Sequence, residues 1–244
     1  MKIGDKRGSH VGMVLSFVIF ITFIFFLYVV FEPSLKPQNE KEIILDNLEL
    51  NLLNYVKTDL TEVTISTSNH LQDQCVDFNA GEGSDFFIVR QRDGTLVNYI
   101  VVGNTVTFNW KDDNVGAIKI YGAENLTDLS LAGLNDLGCY GSIEADSTTF
   151  DMNIISNKYV SEPKILGALN KYNLSYDAFR TDDLKLKYDV DFEFIFIDAE
   201  GNEFATGREN YKTSTTDVYA RNIPIIYFDG EANIQAGSLR LKVW

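Results

Sequence analysis

Between Val11 and Phe31 the chain runs for 21 residues without a charged side chain. Sixteen are Val, Leu, Ile or Phe, and only Gly12, Met13, Ser16, Thr22 and Tyr28 interrupt them. As a helix this segment is roughly 31 Å long at about 1.5 Å per residue, matching a hydrocarbon core about 30 Å thick. Each Val, Leu, Ile or Phe favours insertion by about 0.3–0.6 kcal/mol near the helix centre, so the whole is favoured by several kcal/mol. A helix with no polar face is not suited to the surface of a soluble domain. The segment is therefore expected to cross a membrane once, with the lipid bilayer as its first partner.

The flanks set the expected orientation. Lys2, Lys6 and Arg7 precede the run against a single Asp5, and Glu32 follows it. Basic residues stay on the cytoplasmic side, so everything beyond Phe31 is expected outside the cell membrane. The chain carries −14 overall, and the first ten residues have three positive charges against one negative, which leaves −16 for the remainder. A domain this acidic repels nucleic acid, and a nucleic-acid partner is excluded on that ground. The expected layout is a basic cytoplasmic tail over 1–10, a transmembrane helix over 11–31, a proline-containing linker over 32–40, and an extracytoplasmic β-rich domain over 41–244.

The apolar run ends in "YVVFEPSLKP", with no small-x-small site for removal on the outer side. Before it stands "KRG", Lys6-Arg7-Gly8, followed by Ser9. This junction resembles archaeal pilin-like proteins with a class III, prepilin-type signal peptide. The resemblance implies cleavage after Gly8, with Ser9 as the new N-terminus, and it implies prepilin peptidase and other pilin-like subunits as partners. Met13 would then occupy the fifth mature position, where many type IV pilins carry a Glu that pairs with a neighbouring subunit's N-terminal amine. The whole layout, closing in "NIPIIYFDGEANIQAGSLRLKVW", also resembles a family of uncharacterised archaeal single-span membrane proteins. Gly12 and Ser16, one turn apart in line with Gly4 and Gly8, could let two membrane helices approach closely, or the spacing could be chance.

Pro33 and Pro37 are expected to break or kink the helix. "EKEIILDNLELNLLNYVKTDL" then resumes a helical stripe through Ile44, Leu48, Leu52 and Tyr55, widened by Leu45, Leu53 and Val56. That arrangement fits a pilin helix packed on a sheet and fits equally a membrane-proximal helix capping any β-domain. Beyond Leu60 the period becomes two. Strands are expected in "EVTISTS", in "DFFIVRQRDGTLVNYIVVGNTVTFNW" as three strands joined by tight turns at Asp93-Gly94 and Gly103-Asn104, in "GAIKIY" and in "TTFDMNII". Helical spacing returns at Ile165, Leu169, Tyr172 and Tyr176, with Ser161 as N-cap and Pro163 in the first turn. "KYDVDFEFIFIDAEGNEF" alternates, with Tyr188, Val190, Phe192, Phe194 and Phe196 on one side. The last segment reads as a hairpin turning at Asp229–Asn233. The fold class is thus α+β: a transmembrane helix, an amphipathic helix and an antiparallel, sandwich-like β-domain with one inserted helix. That helix could divide subdomains at 58–155 and 156–244, or sit within one.

Candidate chemistry is sparse. Cys75 and Cys139 are the only cysteines, and an even count outside the cell suggests a disulfide, with two buried thiols as the alternative. In the chain-entropy picture the bridge contributes about 4 kcal/mol. Asn125-Leu-Thr127 and Asn173-Leu-Ser175 are glycosylation sequons. His10 and His70 do not group with other ligands, so no metal site is expected. Asp112-Asp113, Asp182-Asp183 and Asp189/Asp191/Glu193 could hold calcium, but a solvated face explains them as well, and "DAEGNE" from Asp198 to Glu203 reads as a β-turn. No phosphate loop, nucleophile elbow or metalloprotease helix occurs, and no cofactor or catalytic residue is expected. The leading reading is a non-enzymatic, pilin-like surface subunit or minor pilin. The alternative is an anchored adhesion or ligand-binding module that never polymerises, and an ectoenzyme is a distant third.

Overall fold

A computed structural model describes residues 7–67, 74–81, 86–110, 116–130, 137–139, 141–186, 191–206 and 218–244, with the side chains of 7–10 and 30–40 left aside. The expected α+β layout is observed. Helix α1 spans Arg7–Val56. Strands follow at β1 Lys57–Ser66, β2 Gln74–Asn79, β3 Phe86–Gln91, β4 Tyr99–Val102, β5 Thr105–Trp110, β6 Ile118–Ala123, β7 Ser142–Glu144 and β8 Asp151–Ser161. Helix α2 covers Glu162–Leu174, α3 Tyr176–Ala178, and a π-helical turn Phe179–Asp183. The chain ends in β9 Phe192–Ile197, β10 Glu203–Ala205, β11 Tyr219–Phe228 and β12 Ile234–Val243.

Of the break or kink expected at Pro33 and Pro37, the break does not occur: α1 runs through both prolines for 50 residues. A proline's fixed φ is compatible with a helix, but it lacks the N–H that would reach the carbonyl four residues upstream, and its ring crowds that carbonyl. The two missing bonds, to Val29 and to Pro33, lie one turn apart on the same side. The ladder between them is kept by Ser34, Leu35 and Lys36. Segment 32–40 is helical rather than an irregular linker.

The two halves of α1 differ sharply. Val11–Val29 is a helix long and apolar enough to span a membrane, and none of it is buried against the rest of the chain. Past Lys41 the expected stripe turns inward, with Ile44, Leu45, Leu48, Leu52 and Val56 buried and Leu53 and Tyr55 packed beside them. Leu48 and Leu52, essentially inaccessible, each contribute about 1.5–3 kcal/mol by leaving water.

Eight strands form one sheet in the order β10-β9-β12-β11-β8-β1-β6-β3, and four form a second in the order β4-β5-β2-β7. All pairings are antiparallel except β11 with β8 and β2 with β7. Opposite residues in an antiparallel ladder point to the same side, and side chains alternate along each strand. Lys57 pairs with Val160 and Val63 with Ile154 in one unbroken register, so Val160 and Val63 share a face. Val160 packs among residues of α1 and α2; Val63 packs with Val76, Val106, Phe108 and Trp110 of the smaller sheet. One face of the long sheet therefore carries two cores side by side, one roofed by helices and the other by the four-stranded sheet. On the opposite face Leu60, Ile88 and Phe228 are covered by Leu126 and Ala232. A boundary at 155/156 would fall inside β8, which pairs with β1 on one side and β11 on the other.

The three strands expected over 85–110 are present as β3, β4 and β5, but the first two do not pair as a hairpin. Asp93-Gly94 does form a turn, with Gly94 at φ +91° and bonds from Gln91 N–H to Thr95 O and Val97 N–H to Val89 O. After that short reversal, however, β3 stays in the long sheet and β4 enters the other one. The Tyr99 hydroxyl donates to the Phe87 carbonyl and so ties the two sheets where the chain crosses. Gly103-Asn104 closes the β4–β5 hairpin as expected. Elsewhere, β9 buries both faces: Phe192, Phe194 and Phe196, but also Ile195 and Glu193, the latter paired with Lys242 at 3.0 Å. Tyr188 and Val190 lie outside the described residues.

Candidate functional site

The sequence-derived candidates fall at separate places. Arg7, Gly8 and Ser9 are in the first turns of α1, and Lys6 lies outside the described residues. Gly12 and Ser16 are exposed on the apolar half, and a methyl group added at Gly12 would meet nothing within 4 Å. Any packing of that face would therefore involve another chain or lipid.

Cys75 and Cys139 are joined by a disulfide, with Cα atoms 5.5 Å apart and a sequence separation of 64. It is packed with Ile100 and Leu137 in a small apolar cluster. The Cys75 N–H donates to Gly141 O at 2.7 Å, and Asn109 Nδ2 donates to Leu137 O at 2.7 Å. The bridge and these two bonds thus anchor Leu137, Cys139 and Gly141 to β2 and β5. Closure and burial both leave this sulfur without nucleophilic character.

Described members of the acidic groupings have partners from neighbouring elements. Lys171 reaches Asp183 at 2.7 Å, and Asp191 accepts from the Tyr176 hydroxyl at 3.0 Å. Asp112, Asp113, Asp189 and His70 lie outside the described residues, as does the side chain of His10. Among the described residues no three Asp, Glu, His or Cys side chains converge closely enough to hold a metal.

Both turns at Asp198 and at Asp229–Asn233 were expected; what sequence reading missed is that they match. Asp198-Ala-Glu-Gly-Asn202 and Asp229-Gly-Glu-Ala-Asn233 both place Asp first, Glu third and Asn fifth. In each, the Asp carboxylate accepts from the third and fifth backbone N–H groups and from the Asn side chain, at 2.7–2.9 Å. The fourth residue is left-handed in both, Gly201 at φ +87° and Ala232 at φ +63°. Tyr227 lies between the turns: its hydroxyl accepts from Ala199 N–H at 3.1 Å and donates to Gln235 Oε1 at 2.9 Å. Hydrogen bonds from Asn202 hold the Asp198 carboxyl below its usual range. Nearby Glu162 is pushed up, first by burial and then by Asp229 and Asp198. The repeated D-x-E-x-N spacing was the available signal. The turn donors occupy these carboxylates, so the pair acts as a brace across the end of the sheet.

No family model, characterised protein or solved structure matches the chain.

Two clefts remain. One, about 350 Å³, opens at the sandwich edge where Val63, Phe78, Phe87 and Ile120 meet the partly exposed Met152 and Ile154. The other, about 390 Å³, lies between the end of α1, the start of α2 and the loop at Asn125. Tyr55, Asn125, Pro163, Lys164, Gly167 and Ala168 line it, and Lys164 pairs with Glu124 at its rim, 2.7 Å apart. Asn125 is exposed in a loop; Asn173 is exposed on the last turn of α2. The two clefts belong to different halves of the domain and do not converge on shared polar groups.

Proposed function

We propose that this protein is a non-enzymatic, membrane-anchored surface subunit of pilin-like type, with its N-terminus in the cytoplasm and its β-rich domain outside. The observation carrying this reading is the division of labour along α1. An uncovered apolar half continues without interruption into an amphipathic half packed on a sheet, so one rod serves as both membrane anchor and domain core. The basic flank before Val11 and the acidic remainder support the orientation. "KRG" abutting the span supports processing after Gly8.

The test is co-expression with a prepilin peptidase followed by N-terminal sequencing. A start at Ser9 is expected; an intact Met1 overturns the reading. A second reading, an anchored adhesion or ligand-binding module that stays monomeric, is favoured by Met13 at the position where assembly would want a carboxylate. Finding the protein inside purified filaments selects the first; finding it only in membranes selects the second.

A further inference from the structure

The two sequons are not equivalent once folded. A glycosylating enzyme must engage the Asn amide and the hydroxyl two residues on from one side. Asn173 lies in the last turn of α2, and Ser175 is the C-cap of that helix, its N–H donating to Lys171 O. The Ser175 hydroxyl is also engaged, donating to Lys171 O at 3.2 Å as part of the helix end. Asn125 instead sits in a loop at φ +64°, the left-handed conformation that Asn tolerates. Leu126 beside it is buried and anchors the loop, and Thr127 N–H is fixed to Gly230 O at 2.7 Å. The sequon is thus exposed yet held in one shape.

Asn125 also lines the cleft of about 390 Å³ against α2. Gly167 contributes to the same wall. In a helix interior a glycine costs about 1 kcal/mol relative to alanine. A methyl group there would meet nothing within 4 Å, so no close packing requires the glycine. Its effect is to leave the wall open. Tyr55 and Pro163 line it together with Lys164, whose ammonium pairs with Glu124 at the rim, which suits a sugar: its C–H face packs on apolar rings and its hydroxyls bond to the ion pair.

We propose that Asn125, and not Asn173, is an N-glycan acceptor, and that the first sugar lies in the cleft between α1 and α2. The donor is a sugar carried on a lipid phosphate or pyrophosphate. A bond forms between Asn125 Nδ2 and the anomeric carbon while the bond from that carbon to the phosphate oxygen breaks. The phosphate leaves with the electron pair, and Nδ2 gives up one proton. This requires the outward orientation proposed above but not assembly into a filament.

The experiment is peptide mass mapping of the full chain purified from membranes of the cells that encode it. Added sugar mass is expected on the peptide containing Asn125 and is lost in Asn125→Asp, which keeps the left-handed loop, and in Thr127→Val, which keeps the Thr127 shape against Gly230. Asn173→Asp leaves the mass pattern unchanged. Hydrogen exchange over 163–168 is expected to be slower in the glycosylated protein than in either variant. A bare Asn125 in the native protein, or sugar on Asn173 alone, overturns the acceptor assignment; protease access on intact cells shows separately whether orientation was at fault. Sugar on Asn125 with no change in exchange overturns its seat in the cleft.

Discussion

Arg221 on β11 reaches Asp46 on α1, with Nη1 2.6 Å from Oδ1, across 175 residues of sequence. The same nitrogen lies 2.9 Å from Glu49. One cation thus joins two carboxylates almost one helical turn apart and sets the rotation of α1 over the sheet. The guanidinium is 37% exposed, so the energy is modest. Arg221→Ala is expected to cost about 0.5–1 kcal/mol, and raising the salt concentration should shrink that difference. Urea unfolding of both proteins in detergent at low and high salt measures it.

Gly237 on β12 has no room for a side chain. An added Cβ would lie 2.5 Å from Ile197 O on the neighbouring strand and 3.0 Å from the Tyr227 ring. The first neighbour is backbone and cannot swing aside, so Gly237→Ala is expected to destabilise by about 1–3 kcal/mol. Thermal unfolding followed by circular dichroism should show a clear drop in midpoint, and an unchanged midpoint would mean the strands separate easily there.

The disulfide predicts two results. Alkylation without reductant should label neither Cys75 nor Cys139, even after unfolding. Replacing both by alanine should cost about 2–4 kcal/mol, chiefly by freeing the unfolded chain.

Glu162 makes a signed prediction about pH. Its carboxyl is raised by burial and by Asp229 and Asp198, although the start of α2 would by itself favour the anion. A raised folded pKa means the folded state binds the proton more readily, so this group favours folding at low pH and loses that contribution as pH rises through its folded value. Glu162→Gln should therefore stabilise the protein at neutral pH and make little difference near pH 4. Asp198, lowered by its turn donors, runs the other way: its contribution is present above the ordinary aspartate range and fades as acid protonates it. Denaturant midpoints of the wild type and Glu162→Gln across pH give the sign directly.

Much of the architecture was legible because its signals are local. The stripe from Ile44 to Val56, the Ser161 cap, which accepts from Lys164 N–H at 3.4 Å, and the β11–β12 hairpin each depend on spacing within one segment. The membership of β3 and β4 in different sheets was not legible, because Asp93-Gly94 specifies a reversal and says nothing about which sheet receives the next strand. β2 and β7 escaped notice because they are short and carry polar residues such as Asp77 and Glu144. At Pro33 and Pro37 the break half of the expectation failed because a proline's local preference was weighed without the long helical runs on either side. At the candidate sites, the sequons were visible as triplets, but only the fold separates a loop-borne Asn125 from a helix-borne Asn173.

The unbroken course of α1 has a mechanical consequence. From Phe31 to Lys41 the helix rises about 15 Å and lacks two backbone hydrogen bonds, at Pro33 and Pro37, on one side. Bending is cheapest at such a place. In the anchored reading proposed above, a sideways pull on the domain is taken up first at this stretch of the shaft, and the remainder passes along the helix to the apolar half.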